Sequence, residues 1–426
     1  MRRKLLTLCI AILAMVLLVT LMTACDAEET DTTKKARATT AEPDATTAPP
    51  TTTEPVNDFK LGVILFHDEN STYDLNFIEA VKRAAEELGL DEDQIVYKKN
   101  IPESNTCYEV AEELVELGCD VIFANSFGHE AYLLKAAKEF PKVQFCHAAG
   151  TMAHTEELDN YHNAFASIYE GRYLTGVAAG LKLNEMIANG EITAAQAKMG
   201  YVGAFPFAEV ISSYTSFYLG AKSVCPTVTM DVQFAESWYD YDLEKNAANA
   251  LIDRDCVLIS QYAESMGAPT ACAARGVPNI TYNGSTKDSC PDTYIISSKI
   301  DWTPYFIYIC KAVMEGTEIA TDWTGTIKTG SVLLVDLNED VAAAGTAATL
   351  EAVKAQLVAG TLHVFDTDTF TVGGVKLNSY KADVDTDTNF VPDTEVIFDG
   401  YFHESEKRSA PYFDIQIDGI TVVNPW

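Results

Sequence analysis

Leu61-Gly62-Val63-Ile64-Leu65-Phe66, then His67-Asp68-Glu69-Asn70-Ser71-Thr72-Tyr73-Asp74 and an amphipathic run to Leu88, decide the fold class. Six apolar residues without alternation predict a short strand buried on both faces. Phe77, Ile78, Val81, Ala84, Ala85 and Leu88 then recur at helical spacing, with Glu79, Lys82, Arg83, Glu86 and Glu87 opposite. Asp74 is the expected N-cap, accepting free amide protons of the first turn. A buried strand therefore hands the chain to a helix through a polar loop that carries a tyrosine. In open parallel sheets ligands sit in the crevice beyond the carboxyl ends of the strands, so this loop is the first expected wall of a binding site.

The same alternation continues. Strands are expected at Gln94–Lys98, Cys119–Ala124, Lys142–Cys146, Met199–Ala204, Thr227–Phe234 and Cys256–Ser260. Helices are expected at Asn105–Leu117, Glu130–Glu139, Glu170–Met186, from Ala208, at Asp240–Ile252 and at Ser265–Ala274. Strands alternating with helices imply parallel sheets covered on both faces. The second half echoes the first: Gly200 stands to Cys256 at nearly the spacing of Gly62 to Cys119. Two similar α/β lobes with a cleft between them are the expected architecture, and such a cleft closes on a small molecule by hinge motion.

The chain starts differently. Arg2-Arg3-Lys4 precede an apolar run to Leu21 and then Met22-Thr23-Ala24-Cys25, the pattern of an export signal. The cysteine at that point resembles a bacterial lipoprotein box, with Cys25 the expected acylation site after removal of residues 1–24. Residues 25–58 are rich in Thr, Pro, Ala and acids, too poor in large apolar groups to fold, and are expected to be a flexible tether. The expected location is the extracytoplasmic face of the cell membrane, held by the lipid anchor.

Sixty-two acidic residues against 30 basic ones give a net charge of −32, which argues against nucleic acid or anionic lipid surfaces as partners. Setting aside Cys9 and Cys25, the remaining cysteines include Cys119, Cys146 and Cys256 in expected core strands. No C-x-x-C pair occurs, so neither zinc nor a redox motif is indicated, and no metal or cofactor is expected. Asp383-Val384-Asp385-Thr386-Asp387-Thr388-Asn389 lacks the Gly and Glu of an EF-hand loop, at Thr388 and Thr394, and reads as an acidic solvated loop.

Several segments together resemble the basic membrane protein (BMP) family, the purine-nucleoside-receptor-like solute-binding lipoproteins of ABC transporters. They are Ser71-Thr72-Tyr73, Asn125-Ser126-Phe127-Gly128, Phe140 to Gly150, Tyr169 to Gly176, Gly200 to Pro206 with Glu209-Val210, Ser237 to Asp240 and Asp301 to Tyr305. The resemblance spans roughly Lys60 to Asn338. It implies a type I periplasmic-binding-protein fold, with two doubly wound lobes and a hinge of several crossovers. It also implies capture of a purine base or nucleoside for an ABC permease, by a monomer that turns nothing over. Lobe 1 is expected over 59–165 with part of about 284–325, lobe 2 over 166–283 with part of about 326–360, and a β-rich extension over 361–426.

On the positions that match, Tyr73, Phe127, Phe205 and Trp238 stand at or just after strand ends, where rings could sandwich a flat base. Asn76, Ser126, Gln261, Glu264 and Asn283 are candidates for base edges or ribose hydroxyls. The chain departs from relatives at Ser71, where Trp is frequent, at Asn283, where many carry Asp, and at Tyr262, where His is frequent. These departures leave the fold expectation intact and the ligand open to another planar solute.

Beyond Val341 the resemblance thins. Val364–Thr367 and Phe370–Val375 suggest strands about a Gly-Gly turn. Two other functions compete: a tethered sensor that reports ligand occupancy, and a surface nucleoside hydrolase. The latter lacks any G-x-S-x-G, P-loop or H-E-x-x-H motif, and Asp68 and Asp74 form no recognisable metal cluster.

Overall fold

A computed structural model describes residues 58–425. The expected signal, Cys25 and all of the tether but its last residue lie outside the described residues, as does Trp426. Among the described residues no helix is long and apolar enough to cross a membrane.

In chain order the main elements are β1 (Leu61–Ile64), α1 (Thr72–Leu88), β2 (Ile95–Lys98), α2 (Asn105–Glu116), β3 (Val121–Ala124), α3 (Glu130–Glu139), β4 (Gln144–Ala148) and β5 (Tyr161–Ala166). Then come α4 (Ile168–Ala188), β6 (Lys198–Gly203), α5 (Ala208–Val224), β7 (Thr229–Phe234), α6 (Tyr241–Asp253), β8 (Leu258–Gln261), α7 (Gly267–Arg275), β9 (Asn279–Tyr282) and β10 (Tyr294–Ile300). The last are α8 (Thr303–Glu315), β11 (Asp322–Gly325), β12 (Val332–Val335) and α9 (Thr346–Ala359).

One sheet runs β2-β1-β3-β4-β5-β11, all parallel. The other runs β7-β6-β8-β9-β10-β12, parallel except for β12, and Ile420–Val422 adds a further parallel strand beyond β7. Each sheet therefore has the doubly wound order 2-1-3-4-5 about its own first strand, so each has a switch point where the loops after its first and third strands diverge. The repeat extends to packing. A Cβ on Gly62 would lie 2.9 Å from Leu114 and 3.3 Å from the Cys119 sulfur, and one on Gly200 would lie 3.0 Å from Leu251 and 3.2 Å from Cys256. In both lobes the first strand carries glycine because the helix and the cysteine before the third strand crowd that spot. Cys119 and Cys256 precede their strands rather than lying within them, and all eight described cysteines are buried and unbridged.

The chain passes between the sheets three times, at 166–168, 300–303 and 325–332. Within 284–325 it is α8 and β11 that join the first lobe, whereas Tyr294–Ile300 belongs to the second sheet. At the second crossing the fully buried Trp302 stacks on Phe77 at 4.6 Å, and Asp301 accepts from Arg83 at 3.0 Å. The buried Arg172 of α4 ties the second lobe together, donating to the Thr281 carbonyl at 3.0 Å and to the Ser260 and Ser298 hydroxyls.

The helix cap differs from the sequence expectation. Ser71 caps α1, its Oγ accepting the amide of Asp74 at 3.2 Å, because the helix starts at Thr72 and Asp74 falls inside the first turn. The extension differs too. The expected strands at 364–367 and 370–375 reduce to single bridges, Asp366 with Tyr401 and Val372 with Val375 across the Gly373-Gly374 turn. Short hairpins form instead from Lys381–Ala382 with Thr394–Glu395 and from Ile397–Phe398 with Tyr401–Phe402. The segment packs on ring contacts (Phe365 on Phe413 at 4.3 Å, Phe402 on Phe413 at 4.8 Å) rather than on a ladder. It touches β11 through Ser409, whose amide donates to Asp322 at 3.0 Å, and then joins the second sheet.

Candidate functional site

Both switch points open into one cleft. From the first lobe come the loops after β1, with Phe66, His67 and Tyr73, and after β3, with Asn125, Ser126 and Phe127. From the second come the loops after β6, with Phe205, Phe207 and Glu209, after β7, with Ser237, Trp238 and Tyr239, and after β8, with Glu264. They enclose two adjoining spaces. The inner one, lined by Tyr73, Asn125, Ser126, Trp238, Glu209 and Glu264, holds about 20 Å³, room for roughly one water. The outer one, lined by His67, Phe127, Phe205, Phe207, Trp238 and Tyr239 among others, holds about 310 Å³, within the range of small-ligand sites.

The rings are in contact. Phe127 of one lobe meets Phe207 of the other with centroids 5.5 Å apart; Phe205 lies 5.5 Å from Phe207 and 5.3 Å from Trp238; His67 lies 5.3 Å from Tyr239. Phe127 and Phe207 are each 43% exposed, large apolar rings facing solvent at the cleft mouth. Aromatic faces left open at a concave site are suited to stacking on a flat solute.

Carboxylates form the floor. Asn125 is fully buried, its amide donating to Asp74 Oδ1 at 2.8 Å while its own oxygen accepts the Phe66 amide at 3.0 Å. Tyr73 donates to the Asn125 carbonyl at 2.7 Å, and Ser126 donates to Glu103 at 2.7 Å. Across the cleft Ser71 donates to Glu264 at 3.3 Å and Thr72 to the Glu264 carbonyl at 3.1 Å, so the two lobes are joined directly. Glu209 accepts from Tyr262 at 2.6 Å, and Tyr262 in turn accepts from Tyr282, which stacks on it at 4.1 Å. Burial pushes the Glu209 carboxyl up to about 7. Burial, then the charges of Asp74, Glu244 and Glu209, hold Glu264 well above the usual carboxylate range. Neither space has a lysine or arginine in its lining. The site therefore offers ring faces and hydrogen-bond acceptors and opposes an anionic ligand.

Tyr73, Ser126, Phe127, Phe205, Trp238 and Glu264 all line the cleft. Asn76, Gln261 and Asn283 line neither space. Asn76 donates to the Ile300 carbonyl at the hinge, and Gln261 donates to the Ala263 and Ser265 carbonyls, shaping the loop that carries Glu264. Asn283 adopts φ 63°, a conformation asparagine tolerates, and both its side-chain polar atoms are buried without a hydrogen-bond partner. Phe66, Asn125, Phe207 and Glu209 also line the cleft and were not among the expected site residues. Glu209 carried a signal, since it occupies the first turn of the helix after the second lobe's first strand, as Asp74 does in the first.

A family profile described as "ABC transporter substrate-binding protein PnrA-like" matches residues 63–361. The chain belongs to this family, Bmp. It is 34% identical over 239 residues to a purine-binding protein of Brucella abortus, covering 56% of this chain and 64% of that one. It is 33% identical over 232 residues to a putative ABC transporter glucose-binding protein of Haloferax volcanii, covering 54% of this chain and 56% of that one. The match thus spans less than two thirds of either relative. Solved structures of ABC transporter system solute-binding proteins from Conexibacter woesei and Aeropyrum pernix superpose with TM-scores of 0.58 and 0.61 at 20% and 19% identity. They cover 72% and 74% of this chain and 98% and 94% of those chains. This establishes the type I solute-binding fold for the Bmp-family chain.

Proposed function

We propose that this Bmp-family protein is the ligand-capturing component of an ABC importer, held outside the membrane through Cys25, and that it takes up an uncharged purine base or nucleoside without turning it over. The observation that carries the reading is the cleft lining: aromatic rings from both lobes over a floor of carboxylates, with no lysine or arginine. Stacking of a base on such rings is worth about 1 to 3 kcal/mol each. Glu209 and Glu264 would receive donors from the base edge or ribose, and no lysine or arginine lines the cleft to hold the phosphate of a nucleotide. The inner space, where Glu209 and Glu264 lie, is too small for a base, so the lobes must part before a ligand reaches those carboxylates. The purine-binding relative supports this ligand class.

A sugar is the second reading, supported by the glucose-binding name of the Haloferax relative, because rings and carboxylates also suit a pyranose. Thermal-shift titration with adenine, guanine, adenosine, inosine, AMP and glucose separates these. Ligand at about 100 times its dissociation constant adds about 2.7 kcal/mol, so a true ligand raises the melting temperature visibly. Stabilisation by a base or nucleoside but not by AMP or glucose is expected; stabilisation by glucose alone overturns the purine reading. Release of free base from inosine by the purified protein would overturn capture without turnover.

A further inference from the structure

His67, Asp74 and Glu264 each present one ligating atom, and these atoms lie within 4.8 Å of one another. Two of the three have open coordination. Asp74 is fully buried and uses Oδ1 to accept from Asn125 and from the His67 amide, whereas its Oδ2 has no hydrogen-bond partner. His67 Nδ1 is likewise buried without a hydrogen-bond partner, 3.6 Å from that oxygen. Glu264 Oε2 takes only the long 3.3 Å bond from Ser71. A buried carboxylate oxygen with no hydrogen-bond donor is costly and uncommon; the His67 imidazole faces it at 3.6 Å, close enough for an ion pair but not for a hydrogen bond, so the two atoms leave room for an ion between them. No lysine or arginine lines either space of the cleft.

We infer that His67, Asp74 and Glu264 form a binding site for a divalent transition-metal cation that bridges the two lobes. One imidazole nitrogen and two carboxylate oxygens are a donor set suited to Zn²⁺ or Mn²⁺, and three protein ligands leave a position for water or solute. Asn125 is the outer partner that orients Asp74, as carboxylate ligands of metals are oriented elsewhere. His67 also lines the outer space of about 310 Å³. His67 and Asp74 belong to the first lobe and Glu264 to the second, so the full donor set exists only when the cleft is closed. Binding and closure are then linked: the ion favours the closed form, and anything that closes the cleft tightens the ion.

The inference shares the cleft with the proposed purine site but does not depend on the ligand's identity. The test is calorimetric titration of chelator-stripped protein with Zn²⁺ alone, with small-angle scattering before and after. One saturable ion per chain is expected, together with a smaller radius of gyration. His67→Ala and Glu264→Gln, checked for native circular dichroism, should each weaken binding at least about tenfold. Unaltered Zn²⁺ binding in both variants overturns the site, as does the absence of one-to-one binding. Loss of binding only on Asp387→Asn places the ion in the exposed acidic loop of Asp385, Asp387 and Asp393 and equally overturns it. Purine binding is measured separately in chelator: purine stabilisation without a zinc site removes this inference alone, and a zinc site without purine stabilisation removes only the proposed ligand.

Discussion

Replacing Glu404 with glutamine should flatten the pH dependence of stability. Glu404 lies in the C-terminal segment and is 2% exposed; its Oε1 accepts the Tyr412 amide at 3.0 Å and its Oε2 has no partner. Burial pushes its carboxyl up to about 8, against hydrogen bonds from Tyr412 and Phe413 and the charge of Arg408, which pull it down. A carboxyl whose folded pKa exceeds its unfolded value, near 4.3, holds its proton longer in the native state. Its contribution to stability is therefore greatest at low pH and is lost as pH rises from about 4.5 to about 8. At about 1.36 kcal/mol per pH unit, the wild type should lose about 3 kcal/mol between pH ~5.5 and pH ~8 from this group alone. Glutamine keeps the shape and never ionises, so Glu404→Gln should lack that loss. The other raised carboxyls (among them Glu170, Glu209 and Glu244, each up to about 7, Asp322, up to about 6, and Glu130 and Glu264) are common to both proteins and cancel in the difference. Urea unfolding at the two pH values, followed by tryptophan fluorescence, measures it. Parallel pH profiles, agreeing within about 0.5 kcal/mol, would refute the claim that this carboxyl is docked in a dry site.

Trp238→Ala should weaken purine binding by roughly 5- to 150-fold, the equivalent of one stacked base, while Phe205 and Phe207 keep the wall folded; an unchanged affinity by titration removes Trp238 from the site. Asn283→Asp should destabilise the protein by at least about 1 kcal/mol in urea, since position 283 is buried outside both spaces of the cleft and offers a new charge no hydrogen-bond partner; an unchanged midpoint would mean that the position is solvated. Gly220→Ala should destabilise by about 1 to 3 kcal/mol or more in urea, because its Cβ would collide with the Tyr173 carbonyl where α5 crosses α4, and an unchanged midpoint would mean the helices separate at no cost.

The first strand, its polar loop and the amphipathic helix after it were legible because a doubly buried strand and a one-sided helix have different periods in the chain. The Gly62/Cys119 and Gly200/Cys256 echo was legible for the same reason, and it became a packing statement once Leu114 and Leu251 were seen to crowd the two glycines. Tyr73, Phe127, Phe205 and Trp238 could be named because they fall on positions that carry the family resemblance and each stands at or just after a strand end, and in this topology strand ends converge on one crevice. The capping role of Ser71 was missed because Ser and Asp three residues apart both suit a helix start, and only the backbone decides between them.

By itself, then, the sequence determined most of the strands and helices up to Ala274, that two such sets repeat, and which loops bear rings, since these follow from local periodicity and residue chemistry. Tertiary structure decided what lies far apart in the chain and near in space: β10 in the second sheet, Asn76 on a hinge carbonyl, Glu209 under Tyr262, and Glu264 opposite His67 and Asp74. The pKa shifts belong to that second group, because the desolvation and neighbouring charge that set them exist only after the lobes and the C-terminal segment have packed.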